Sequence, residues 1–182
     1  EILQGGQLHT VRARREVVLA AGAFQTPQLL MLSGIGPSDE LDRLGIQTRA
    51  HLPGVGKNLQ DHPDFIFGYR ARSLDTMGVS LGGGLRMLKE IRRFRQERRG
   101  ALTSNFAEGG GFLKTRAGLA MPDVQLHFVV ALVDDHARSF HLGHGLSCHV
   151  CLLRPRSRGS VTLQSNNPQH APLIDPSFFQ DP

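Results

Sequence analysis

The sequence predicts an α+β fold: a mainly antiparallel sheet with flanking helices, joined to a partial α/β edge. Three observations predict it. An early continuous apolar run is followed by a glycine turn and a helix signal. Most of the rest alternates apolar and polar residues with period two. One long stretch between those alternating runs repeats every three or four residues instead.

Taken in order, Gln7 to Ala13 reads as a short polar strand. Glu16 to Ala21 (EVVLAA) reads as a strand buried on both faces, ended by Gly22. A helix follows from Thr26, with Pro27 at its first position and Leu29, Leu30 and Leu32 inside it. Gly34 suits its C-terminal stop. A second short helix starts near Ser38 and ends at Gly45. Pro53 to Asn58 is turn-rich. From Asp64 the alternation begins, with Phe65, Phe67 and Tyr69 on one face. Val124, Leu126, Phe128, Val130 and Leu132 form a second apolar line, Leu146, Cys148, Val150 and Leu152 a third, and Val161 and Leu163 a fourth. Such lines predict a sheet with one buried face. Between them Leu81 to Arg99 reads as an amphipathic helix, with Leu81, Leu85, Leu88, Ile91 and Phe94 as its apolar stripe. A domain boundary is expected near residue 62, giving segments 1–62 and 63–182.

Composition fits a globular chain: 182 residues, 40% hydrophobic and 20% charged, without the bias of a disordered segment. There is no signal-peptide pattern and no uncharged apolar run of membrane-spanning length, so a cytoplasmic protein without a transmembrane segment is expected, peripheral membrane association remaining open. Two cysteines make no disulfide framework. The net charge of +5 draws attention to where the basic residues sit.

Gly22 to Gly36 (GAFQTPQLLMLSGIG) is the most informative stretch. Small residues at the end of a buried strand let a ligand approach the backbone, and the amides of the next helix favour an anion such as a pyrophosphate. Ala21, Gly22, Ala23 and Thr26 are therefore the candidate cofactor-binding residues. A plain strand-to-helix turn would look the same on these grounds.

The segment resembles the second signature of the glucose-methanol-choline (GMC) oxidoreductases, and every constrained position fits: Gly22-Ala23, Thr26-Pro27, Leu29-Leu30 and Ser33-Gly34-Ile35-Gly36. Val55 to His62 (VGKNLQDH) resembles the next landmark of that family. SNFAEGGGF (Ser104 to Phe112), PDVQLHF (Pro122 to Phe128), HGLSCHV (His144 to Val150) and PRSRGSVTL (Pro155 to Leu163) are similar to its choline dehydrogenase branch. The resemblance covers essentially the whole chain. It implies an FAD-binding Rossmann-like domain, of which residues 1–62 would be the trailing portion. Residues 63–182 would form a substrate-binding domain, incomplete at its C-terminus. The implied reaction is oxidation of a primary alcohol, choline-like, aliphatic or aryl, by hydride transfer to flavin while a histidine accepts the hydroxyl proton.

Two parts that this chemistry needs are missing from the sequence. The G-x-G pairs begin at Gly34, Gly54, Gly82, Gly109 and Gly143, and the third glycine of a dinucleotide fingerprint would fall on Asp39, Leu59, Met87, Lys114 and Cys148. Nor is Gly56-Lys57-Asn58 a phosphate loop, since His51 stands where its first glycine belongs and Asn58 where a hydroxyl residue belongs. The histidine of the family lies in a later segment. The chain therefore reads as an internal fragment that is inactive alone, binds no FAD by itself and holds no catalytic residue.

Phe106, Glu108, Gly110 and Phe112 share a face if extended. A carboxylate among aromatic rings suits a quaternary ammonium group, and in choline-oxidising relatives a glutamate at the corresponding position faces the trimethylammonium group. Phe106, Glu108 and Phe112 are thus the candidate substrate-binding residues. The run Gly109 to Gly111 is a departure that opens the pocket wall to a bulkier alcohol.

Cys148-His149-Val150-Cys151, preceded by His136, His141 and His144, could hold zinc, but residues 148 and 151 of a strand point to opposite faces, so no metal site is expected. Seven basic residues against two acidic ones between Arg86 and Arg99 could serve nucleic acid or a membrane surface. A regular apolar stripe favours a solvated helix packed on the sheet, with no nucleic-acid partner. A non-catalytic ligand-binding module is the remaining alternative. Asp61-His62 has no accompanying nucleophile pattern and reads as structural.

Overall fold

Glycines at residues 5 and 6 turn the first nine residues into a hairpin of β1 (Ile2–Gln4) against β2 (Gln7–His9) in the computed structural model, which describes residues 1–133 and 141–180. The polar strand expected over 7–13 is thus shorter. The apolar run 16–21 does not form a strand, and it is exposed, Val18 at 76%. A strand buried on both faces needs a neighbour on each side for its N–H and C=O groups, and no described strand pairs with this one.

Helix α1 (Gly22–Leu32) starts four residues earlier than its sequence signals suggested. Gly22, at φ 80°, turns the chain directly into the helix. Thr26 is inside, and its Oγ1 reaches back to accept the Ala21 N–H at 3.0 Å. Pro27 is therefore an interior residue rather than the first one. The C-terminal end follows expectation. Gly34 takes φ 83°, its N–H donates to the Met31 carbonyl at 2.9 Å, and Ser33 Oγ donates to the Leu29 carbonyl at 2.7 Å.

Strand β3 (Ile35–Gly36) pairs in parallel with β4 (Ala50–His51) across α2 (Ser38–Arg43). This two-residue ladder is the only parallel strand pairing among the described residues, so the expected Rossmann-like edge reduces to a small α–β turn packed on a core. His51 closes the start of α2: its Nδ1 accepts the Ser38 N–H at 3.2 Å.

The chain divides into two compact units, 1–60 with 157–182, and 61–156. A single cut near residue 62 does not describe this. Residues 157–180 return to the first unit because β10 (Gly159–Thr162) pairs antiparallel with both β5 (Lys57–Leu59) and β11 (Leu173–Asp175). Met31, Leu41 and Leu163 form the core there, with Leu32, Leu44, Ile46 and Val55 packed around it. Buried Glu40 accepts the Leu163 N–H at 3.1 Å, so a carboxylate satisfies the strand end inside that core.

The second unit is a four-stranded antiparallel sheet of order β6 (Asp64–Ala71), β9 (His144–Leu152), β8 (Val124–Val129), β7 (Ala107–Leu113). The alternating lines fall into register as expected. Phe65, Phe67 and Tyr69 oppose Val150, Cys148 and Leu146, which in turn oppose or adjoin Leu126 and Phe128. That face is nevertheless open rather than buried: Phe65 is 65% exposed, and Phe67, Tyr69 and Phe128 are exposed as well. Helix α3 (Leu81–Glu97) packs chiefly on the short 3-10 turn Ala101–Thr103, and none of its residues is buried. Its expected apolar stripe splits. Leu81, Leu85 and Leu88 face solvent, whereas Ile91 and Phe94 are half-buried.

Candidate functional site

The first unit holds a groove of about 330 Å³ lined by Ala23, Pro27, Gly56, Lys57, Asn58 and Leu59, with Gln60 and Val161. It lies beside the N-terminal half of α1. No side chain caps that helix and its first turn carries no acid, so its leading amides are free to meet an anion. Of the predicted cofactor residues, Ala23 lines the groove. Gly22 is exposed and backbone-open, with nothing within 4 Å of the space a side chain would take. Ala21 and Thr26 are engaged with each other. Lys57 and Asn58 were not among the candidates; their place in the VGKNLQDH landmark was the available signal. Asn58 takes φ 60°, a left-handed conformation that Asn tolerates better than most residues.

A cleft of about 320 Å³ lies in the second unit. Asp75, Arg86, Glu90, Arg93, Glu108 and His144 supply its titratable groups, and Met77, Met87 and Val130 its apolar ones. Glu108 comes there by a β-bulge. Ala107 pairs with Val129 and Gly109 with Phe128, leaving Glu108 as the extra residue. The bulge breaks the face that period two predicted. Phe112 pairs with Gln125, Phe106 sits before the strand at φ 67°, and neither lines the cleft. The expected aromatic setting for Glu108 is therefore replaced by a mixed-charge one. Asp75, Arg86, Glu90 and Arg93 were invisible as site residues, because only the placement of α3 and of the turn that precedes it brings them there.

The cleft is braced by polar side chains. His144, nearly buried, has Nδ1 2.9 Å from the Thr76 carbonyl and Nε2 2.7 Å from Ser80 Oγ. A backbone carbonyl only accepts, so Nδ1 carries the proton and Ser80 donates to Nε2. Ser80 Oγ also accepts the Gly83 N–H at 2.9 Å as the N-cap of α3. Glu90 accepts the Ala101 N–H at 2.8 Å. Arg86 and Asp75, 3.9 Å apart with Asp75 almost fully solvated, form only a weak pair.

Cys148 and Cys151 are free and lie on opposite faces of β9. His149 Nδ1 is 2.6 Å from Asp64 Oδ2, and the Cys151 thiol points at Asp64 Oδ1 at 3.4 Å. Burial pushes the Cys151 thiol up to about 11, and the Asp64 carboxylate adds to that. No group of three or more His, Cys, Asp or Glu among the described residues is placed to hold a metal ion. His136 lies outside the described residues. Asp61 accepts the N–H of His62 at 2.8 Å, a local turn bond, and both side chains are exposed. Among the described residues no helix is long and apolar enough to cross a membrane.

Residues 1–64 match the family profile described as GMC oxidoreductase. The chain is 45% identical over 167 residues to the alcohol dehydrogenase [acceptor] of Pseudomonas putida, covering 92% of this chain and 30% of that protein. It is 38% identical over 185 residues to the oxygen-dependent choline dehydrogenase of Sinorhizobium medicae, covering 100% of this chain and 33% of that one. Among solved structures, the formate oxidase of Aspergillus oryzae, described for its FAD modification, superposes with a TM-score of 0.79 at 34% identity, over 92% of this chain and 34% of that one. The chain thus spans about a third of the length of the relatives it matches.

Proposed function

The chain belongs to the GMC oxidoreductases, and on that premise we propose that it is part of an FAD-dependent enzyme that oxidises a primary alcohol to the aldehyde. The observation that carries the cofactor reading is the groove beside the uncapped start of α1, with Lys57 at its edge. That donor set fits an anionic group: free amides and one ammonium, with no carboxylate among the described lining residues. Gly22 leaves the backbone open, Lys57 neutralises charge, and the Ala21–Thr26 bond fixes the turn. Flavin, when bound, supplies the hydride acceptor. The groove belongs to the flavin side of the enzyme and the sheet unit to the substrate side; the resemblance assigns proton abstraction to a histidine of another segment. The test is the protein from the complete open reading frame. It is expected to purify yellow, to bleach when an alcohol is added without oxygen, and to lose flavin occupancy in Lys57→Gln. A colourless protein that takes up no added FAD would overturn the reading. The 182-residue chain alone is expected to show no flavin band.

For the alcohol, Glu108 in the cleft supports a choline-like cation. Glu108→Gln in the complete enzyme should raise the apparent KM for choline about fivefold or more, and that for a neutral alcohol less. A second reading has its own support. Arg86 and Arg93 line the same cleft and, among the described residues, no Phe or Tyr does, which suits a neutral aliphatic alcohol. Equal effects of Glu108→Gln on both substrates would select it.

A further inference from the structure

Glu108 stands where the ladder does not hold it. It is the extra residue of the bulge between Ala107 and Gly109, without a partner of its own on β8, and β7 has a single neighbour among the described strands. Its direction is therefore set by the chain that leads into it. One side chain of α3, Glu90, ties that chain down. Glu90 Oε2 accepts the Ala101 N–H at 2.8 Å, eleven residues away. Gly100, at φ 102°, makes this approach possible: a Cβ there would overlap the Glu90 carboxylate. From Ala101 the bonds run on toward the bulge. Thr103 donates its N–H at 3.0 Å and its hydroxyl at 2.7 Å to the Gly100 carbonyl. Ser104 Oγ accepts the Phe106 N–H at 2.9 Å, and the Phe106 carbonyl accepts the Val130 N–H at 3.1 Å. Phe106 itself is held at φ 67°, a conformation that a bulky residue adopts only when its surroundings impose it.

We propose that Glu90 is a positioning residue: by fastening the turn Ala101–Thr103 to α3 it aims Glu108 into the cleft. The inference rests on the choline-like reading of Glu108 and adds the residue that keeps that carboxylate in place. Glu90 also lines the cleft, so two other roles compete: direct attraction of a cation by its charge, and plain support of the fold. The three differ in what they demand of the side chain. Positioning needs an acceptor oxygen within reach of the Ala101 N–H, which Gln supplies and Ala does not. Charge attraction needs the carboxylate, which Gln lacks. Support of the fold lowers stability and does not distinguish one alcohol from another.

The experiment compares Glu90→Ala and Glu90→Gln in the complete enzyme, alone and combined with Glu108→Gln, on choline and on a neutral alcohol of similar size. Glu90→Ala should raise the apparent KM for choline about fivefold and that for the neutral alcohol less, the loss falling on KM rather than kcat. Glu90→Gln should bring the KM for choline back to within about twofold of the unmodified enzyme. In the Glu108→Gln background Glu90→Ala should add no further choline-selective loss, since both changes act through one carboxylate. Amide exchange gives a readout that needs no substrate. The Val130 N–H, bonded to the Phe106 carbonyl, should exchange about fivefold faster in Glu90→Ala and at its ordinary rate in Glu90→Gln. With Glu108→Gln selective for choline, three results overturn the proposal: Glu90→Gln as damaging as Glu90→Ala, a full further loss in the double variant, or no choline-selective loss in Glu90→Ala whatever its Tm. Should Glu108→Gln affect both alcohols equally, the choline-like reading falls and Val130 exchange decides the positioning by itself. Faster exchange in Glu90→Ala that Glu90→Gln restores sustains it, and unchanged exchange overturns it.

Discussion

The two units of the chain are held together in different ways. In the unit of residues 1–60 and 157–180, the buried large apolar side chains are Met31, Leu41, Val161 and Leu163, with Gln28 and Glu40 serving backbone groups among them. In the unit of residues 61–156, the only buried polar or large apolar side chains among those described are His144 and Ser147. One unit is an apolar core closed by a returning strand. The other is a backbone ladder pinned by polar side chains, with its aromatic face open. Equal hydrophobic patterning in the sequence thus leads to unequal burial, because alternation specifies a face and not what covers it.

Four experiments test that contrast. Leu41→Ala should have the largest effect, about 2–5 kcal/mol of stability, as expected for a fully buried leucine. Amide exchange should accelerate in α2 and β10 and stay unchanged in β8 and β9; acceleration throughout would mean that one core serves both units. Ser147→Ala comes next. Ser147 Oγ accepts the Val133 N–H at 2.8 Å and donates to the Ala131 carbonyl at 2.9 Å. Leaving those groups unpaired should cost about 1–3 kcal/mol and accelerate exchange in the sheet unit alone.

Cys151 gives a smaller, pH-dependent effect. Its thiol is raised from 9.0 to about 11, so its contribution to stability is present below pH 9 and is lost as the pH rises toward 11. Alkylation of Cys151 should be slow at pH 9 and accelerate only near 11, and Asp64→Asn should move that profile down. Thr115 gives the smallest effect. Its hydroxyl donates to Asp123 at 2.5 Å and its N–H at 2.8 Å, holding that carboxyl below the ordinary value. The associated stability is present above the ordinary carboxylate range and is lost as the pH falls through the lowered value. Thr115→Val should return the Asp123 titration, followed by NMR, part of the way up.

Much of this was legible in the sequence. The alternating lines of β6, β8 and β9 were readable because side-chain parity is a local property. The stop of α1 at Gly34 was readable because a left-handed residue needs glycine. The start of α1 was not, since Thr26 and Pro27 mimic an N-terminus while Thr26 caps backwards from inside. The exposed run 16–21 was misread because apolar character states a preference for burial without supplying neighbours. In the candidate site, spacing and resemblance point to Ala23 and Glu108, which line the groove and the cleft. The bulge that re-aims Glu108 has no mark in the sequence beyond three glycines, and the arginines beside it depend on where α3 lies.

The return of β10 to β5 also sets a schedule for synthesis. Leu59 pairs with Gly159, so roughly a hundred residues must be made between the two halves of that ladder. At about 5–20 residues per second the ribosome needs on the order of 5–20 s to supply Val161 and Leu163. Met31 and Leu41 meanwhile stand without their lid, while the β7–β8–β9 meander, made of consecutive strands, is free to fold as it emerges. The first third of this chain is thus the last part of it to be finished, and the nascent protein passes through a stage at which chaperone capture would be aimed at α1 and α2.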